Sequence, residues 1–296
     1  MTDTTLAQRD LAALSEEQLP ESDTFFAALR RNPAVLLSLA VVLAWIVLAI
    51  LAPAIAPTDP LAQNVSNRLQ APSNAAWMGT DELGRDVFTR VLWGGRITIP
   101  AALVVVAVVS VVGSLAGALA GYIGGIWDEL LMRLTDLFMA FPTIILAMAI
   151  TAALGADIRN AMLALIVVRW PSYSRLTRGL ILEAKSKEYV EATRSLGAGH
   201  AHILLRTLLP NAISPALVYA SLDIGNAILL FAGLSFLGLG PEPSSPEWGR
   251  MVSIGIQFFD QWWMWLFPGL AIASLVMAFN FIGDGLRDIL DPRTRK

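Results

Sequence analysis

Nearly unbroken apolar runs recur along this chain, and they limit its folds more than any other feature. The first runs from about Ala34 to Ala56 (AVLLSLAVVLAWIVLAILAPAIA) and closes in the Pro-rich PAIAPTDP cluster. A run of roughly 20 apolar residues crosses a bilayer as a helix, the one open structure that satisfies its own backbone there. Further runs fall near Thr98 to Gly121, Leu131 to Leu154, Asn160 to Tyr173, Ala212 to Leu239 and Trp263 to Arg287. The fourth is short, and Pro171 interrupts its end. Strand alternation of the outer-membrane barrel type is absent. The expected class is therefore an all-α polytopic membrane protein with about six transmembrane helices.

Composition agrees, with 55% hydrophobic and 15% charged residues and a mean hydropathy of +0.61. The absence of cysteine excludes disulfides and thiolate metal sites. Residues 1–32 are polar and carry Asp10, Glu16, Glu17, Glu21 and Asp23. They lack the basic start and apolar middle of a signal peptide and read as a solvated tail. Basic residues set the orientation. With the N-terminus inside, the inner segments hold Arg30, Arg31, Arg133, Arg175, Arg178, Lys185, Lys187, Arg194, Arg206, Arg293, Arg295 and Lys296. The outer ones hold Arg68, Arg85, Arg90, Arg96, Arg159 and Arg250. Both termini are thus expected in the cytoplasm. The expected division is a tail at 1–32, a first span at 33–56, an external segment with an interfacial helix at 57–97, a five-helix core at 98–288 and a tail at 289–296. The core includes a cytoplasmic loop at 177–211.

The most informative part of that loop is Glu188 to Asn211, EYVEATRSLGAGHAHILLRTLLPN, a polar stretch between two apolar ones. Tyr189, Ala192, Thr193 and Leu196 recur at helical spacing and predict one face of a short helix, with Glu188, Glu191 and Ser195 on the other. Gly197 and Gly199 stop it, and a second helical stretch through Ile203, Leu204 and Leu208 is expected to end at Pro210. A helix, tight turn and helix can seat in a groove of a soluble protein. The plainer reading is an amphipathic connector on the inner leaflet.

The segment EATRSLG, Glu191 to Gly197, followed by Leu208-Leu209-Pro210, resembles the EAA loop of ABC importer permeases. Met78 to Ile99, Gly121 to Pro142, Gly233 to Gly240 and Gly283 to Arg293 narrow the resemblance to the C-type subunit of the dipeptide and oligopeptide (peptide/nickel) importers. Thr193 stands where that family usually has alanine, and Phe231 where relatives often carry an acid. The resemblance implies type I importer architecture in a bacterial inner membrane. It also implies a homologous second permease, two ATP-binding subunits and an external solute-binding protein. ATP and Mg would be used by those partners, since this chain has no G-x-x-x-x-G-K-[ST] loop and is expected to be neither an enzyme nor a nucleic-acid binder. Glu191, Ala192, Thr193, Gly197, Leu209 and Pro210 would couple it to the ATPase: Glu191 meeting a cation or backbone donor, Ala192 allowing close approach, Gly197 turning the chain. Di- or oligopeptides are the first expected cargo, nickel chelates or another small solute the second, and a secondary transporter a more distant alternative.

Polar residues inside spans are costly in lipid and mark cavities or internal pairs. Arg169 and Asp223 are the candidates for a translocation path. One reading has Arg169 meet a peptide carboxylate and Asp223 an amino terminus. The other has Arg169 paired or snorkelling, and Asp223 and Asn226 bonding across a subunit interface. Arg133 with Asp136, and Asp284 with Arg287 and Asp288, read as interfacial ion pairs, and Trp248, Trp262, Trp263 and Trp265 as an aromatic belt, with Trp248 a lesser candidate for an external contact. His200 and His202 are two apart, a poor metal spacing, and Ser235 has no base within a span.

Overall fold

The computed structural model describes residues 32–290, with side chains through Asp288, so the expected tails lie almost wholly outside the described residues. Helix α1, Pro33–Ile55, starts where the Asn32 side chain accepts the N–H of Ala34 at 3.1 Å, with proline at the first helical position. Only Val35, Ser38, Ala49 and Ala52 of it are buried, as suits a helix facing lipid. It lies against the last helix, α9 (Trp263–Leu290), where Trp45 Nε1 donates to Ser274 Oγ at 3.0 Å.

Helix α2, Val87–Ile123, corrects an expected boundary. The interfacial helix expected over 78–99 and the span expected from 98 are one continuous helix of 37 residues. It begins where Asp86 accepts the Thr89 N–H at 2.7 Å, and Met78 to Asp86 precede it as turns. The expected span from 131 to 154 is instead two helices, α3 (Gly125–Met139) and α4 (Thr143–Leu154), bent by 88°. Pro142 cannot continue α3, and it restricts Phe141 before it. The reverse holds in α5, Ile158–Lys185, which continues unbroken past Pro171. Close packing of α5 on α2 outweighs the lost hydrogen bond there: Cβ atoms added at Gly113, Gly117 and Gly121 would lie 2.5, 2.0 and 3.0 Å from the carbonyl oxygens of Trp170, Ser174 and Arg178. Small residues four apart let two helix backbones meet without a side chain between them.

The rest of the chain comprises α6 (Glu188–Ser195), α7 (Leu209–Phe236), α8 (Trp248–Gly255) and α9. Among the described residues, α1, α2, α9 and the helix running from His200 to Phe236 are long and apolar enough to span a bilayer, and the bent α3–α4 pair makes a fifth. The expected fourth span lies in α5, which is long but carries Arg159, Arg169, Arg175 and Arg178 and is screened by its neighbours.

One end of the molecule is closed by the segments around Pro60 and around Ser244–Ser245, and Arg90 joins them. Its side chain, 1% exposed, donates to Pro60 O (3.0 Å), Ser244 O (3.1 Å) and Ser245 O (3.0 Å), and its Nε lies 3.5 Å from Asp81. Trp248 is fully buried there, donating to Val91 O at 2.8 Å over Gly94, so it is a core residue and not an external contact. At the base of α8, Glu247 caps Gly249 and Arg250 and accepts from Thr98 at 3.1 Å; burial pushes its carboxyl pKa up. Arg90→Gln should lower stability by about 3 kcal/mol, because it leaves the buried carbonyls of Pro60, Ser244 and Ser245 without their charged donor, while Asp81 keeps its pair with Arg85. Thermal unfolding in detergent reads this directly, and an unchanged midpoint would show that the segments hold together without Arg90.

Candidate functional site

The opposite end, at the close of the 37-residue α2, carries the loop between α5 and α7. Helix α6 is anchored there by Val190, which is fully buried with Ile181, Ile203 and Leu208 and lies on neither of the two sets of residues that the spacing picked out. Tyr189 and Leu196 of the expected apolar face point outward, Leu196 being 89% exposed, and Glu188, Glu191 and Ala192 are exposed with them. Periodicity could not separate these faces, because a lone valine anchors the helix while its outward side is partly apolar. Thr193 is half-buried and its hydroxyl donates to Tyr189 O at 2.7 Å.

The turn has the expected cause. Gly197 takes φ +86°, a left-handed conformation that strains any other residue, and its N–H bonds Arg194 O at 2.9 Å. Beyond this turn the chain departs from expectation. A helical turn at His200–His202 passes into a π-helical turn, Ile203–Leu208, and then directly into α7, so Pro210 does not end a helix but sits exposed in the first turn of one. The π turn shifts hydrogen bonding so that the Leu209 N–H reaches Leu204 O, and proline, with no N–H, is accepted just after it. Leu209 is half-buried against the same core as Val190.

Polar contacts tie the loop to the helices above it. Tyr122 of α2 shares a hydrogen bond of 2.8 Å with His200 Nδ1, and Lys185 Nζ donates to Tyr122 O at 2.7 Å. Asn211 Nδ2 reaches the Tyr189 hydroxyl at 3.3 Å. The sequence reading missed Tyr122, Lys185 and His200 as supports, since they are far apart in the chain. Nearby ion pairs also regroup: Arg133 pairs with Glu129 of its own helix, and Asp136 with Arg175 of α5, in place of the expected Arg133 and Asp136 pair.

Arg169 and Asp223 are brought together. They form an ion pair between α5 and α7, and the Tyr173 hydroxyl donates to the other Asp223 oxygen at 3.0 Å. Asp223 is 2% exposed, so it bonds within this chain and not across a subunit interface. Phe231, at the position where an acid was noted as absent, is fully buried in the apolar core around Tyr173 and Leu165.

This arrangement, of long apolar helices with an anchored polar helix at one end, matches known proteins. The family described as the inner membrane component of binding-protein-dependent transport systems matches residues 113–296, and the N-terminal transmembrane domain of oligopeptide transport permease C matches residues 23–72. The chain belongs to this permease family. The permease is 45% identical over 266 residues to the probable D,D-dipeptide transport system permease protein DdpC of Escherichia coli K12, covering 90% of this chain and 89% of that one. It is 42% identical over 280 residues to the dipeptide transport system permease protein DppC of the same strain, covering 92% and 93%. Against the glutathione transport system permease protein GsiD of Escherichia coli O6:K15:H31 the identity is 42% over 275 residues, covering 92% and 90%. Among solved structures, a chain of the MetNI methionine ABC transporter in an inward facing conformation shares the fold. The TM-score is 0.56 at 22% identity, over 69% of the permease and 98% of that chain.

Proposed function

We propose that the permease is a membrane-spanning subunit of an ATP-driven importer of di- or oligopeptides, in a bacterial inner membrane with both termini in the cytoplasm. It works beside a homologous permease, two ATP-binding subunits and an external binding protein that delivers the cargo. The observation that carries this reading is the loop of α6: an exposed face of Glu191, Ala192 and Leu196 on a helix whose other side is locked to α2, α5 and α7 through Val190 and Tyr122. A helix so placed can be pushed by a soluble partner and pass the displacement on to the spans as a rigid body. Glu191, Ala192 and Thr193 form the contact with the ATPase groove, Gly197 turns the chain, and Leu209 and Pro210 join the loop to α7. ATP and Mg act in the partner subunits. The names of the dipeptide relatives support peptides as cargo; the glutathione relative shows that the same scaffold serves other solutes, and nickel chelates are the second reading.

Purification of the permease from its native membrane should bring a second permease and P-loop ATPases with it, and the assembly in proteoliposomes should take up dipeptide only with ATP and binding protein. Uptake without ATP by the chain alone would reject the reading in favour of a secondary carrier.

A further inference from the structure

A cavity of about 420 Å³ lies where the α3–α4 bend meets α5 and α7, and the volume falls in the range of small-molecule sites (~300–1,000 Å³). Its polar lining is Arg169, Ser172, Asn226 and Thr143, and its apolar walls include Phe138 and Leu229. Arg169 and Ser172 are three apart on α5, and so share one face of that helix.

The ion pair between Arg169 and Asp223 has two unequal sides. Asp223 sits behind, with one oxygen on Arg169 and the other on Tyr173, and does not line the cavity. Arg169 stands at the wall, 11% exposed, with its Nε buried and without an acceptor. The guanidinium thus has hydrogen-bonding capacity that the protein does not fill, and its part at the wall is open to an acceptor that enters the cavity. The start of α4 adds to this: Phe141 just before it and Thr143, its first residue, line the cavity, and the N-terminus of α4 has no side-chain cap, so its N–H groups contribute positive potential. No acidic side chain lines the space. Donors therefore outnumber committed acceptors, and the apolar walls suit the carbon skeleton of an organic anion better than a bare inorganic ion.

We infer that this cavity binds the carboxylate of a translocated organic solute, with Arg169 as its cation, Asn226 and Ser172 as further donors, and Asp223 and Tyr173 positioning the guanidinium. For the peptide importer proposed for this chain, on which this rests, the group recognised is the free C-terminal carboxylate of a peptide. Asp223 does not read the amino terminus.

The chain has no cysteine, so Ser172→Cys places a single thiol of this subunit at the cavity. In the assembled transporter, with thiols of the other subunits blocked, that thiol is labelled with anionic and cationic methanethiosulfonates of equal size. The anionic-to-cationic rate ratio should fall about tenfold when Arg169→Gln is added, as for loss of one charge-assisted hydrogen bond. L-Alanyl-L-alanine should protect the thiol and its C-terminal amide should not. Arg169→Gln strands Asp223, so Asn226→Ala, which leaves the ion pair intact, is the second variant and should weaken protection by the acid. An unchanged rate ratio, or equal protection by acid and amide, overturns the site. Acid-selective protection in an assembly that imports no dipeptide would keep the site and refute peptide import. Dipeptide import with no acid selectivity would do the reverse.

Discussion

Gly117→Leu should abolish the folded permease. A Cβ at residue 117 would lie 2.0 Å from the Ser174 carbonyl oxygen and 2.8 Å from its carbon, and these are backbone atoms that no rotamer change can move. Helices α2 and α5 would have to separate, which also opens the contacts at Gly113 and Gly121 and disturbs the buried Ser174 and Thr177 beside them. Overpacking of this kind in a close-packed crossing belongs with the severe substitutions, above about 4 kcal/mol. The measure is the yield of monodisperse protein after detergent extraction. Gly179→Ala is the control: it lies in the same bundle on α5, nothing stands within 4 Å of its added Cβ, and it should be neutral or slightly stabilising. Equal yields for the two variants would mean that the glycine crossing does not hold these helices together.

The second large effect is functional. Glu191→Lys reverses a charge on the exposed side of α6 and touches neither Val190 nor the Tyr122 and His200 link, so the variant should insert, fold and pair with its partner permease. Its ATP-driven uptake should fall on the order of a hundredfold, the effect of losing a central interface contact worth roughly 2–4 kcal/mol. ATP hydrolysis stimulated by binding protein should fall with uptake, or persist without it. Near-normal ATP-driven uptake by the assembled variant would remove α6 from the coupling path.

The apolar runs located the four described helices long and apolar enough to span a bilayer, because hydrophobic length is a local property, but not the 88° break in the third run or the charged length of α5; the loop motif was visible because glycine turns are local too. What the sequence did not show depends on partners distant in the chain. Pro142 and Pro171 look alike in sequence, yet one follows the break in a span and the other lies inside a continuous helix packed closely on the glycines of α2, a contact between segments distant in the chain. Trp248 read as a surface aromatic because nothing near it announces that Gly94, on another helix, leaves room for its ring. For Arg169 and Asp223 the residues were evident but their mutual pairing was not, being a matter of how α5 and α7 meet.

The uninterrupted length of α2 has a mechanical corollary. At about 1.5 Å per residue, its 37 residues reach about 55 Å, with the Arg90 junction near one end and Tyr122, beneath the loop, near the other. A rod of that length pivoting near its middle by about 10° carries its two tips roughly 5 Å in opposite directions. The glycine crossing with α5, set toward the Tyr122 end, makes the two helices one beam. Under the function proposed for this chain, a push on α6 would reach the Arg90 end as a see-saw, opening one mouth by the same motion that shuts the other.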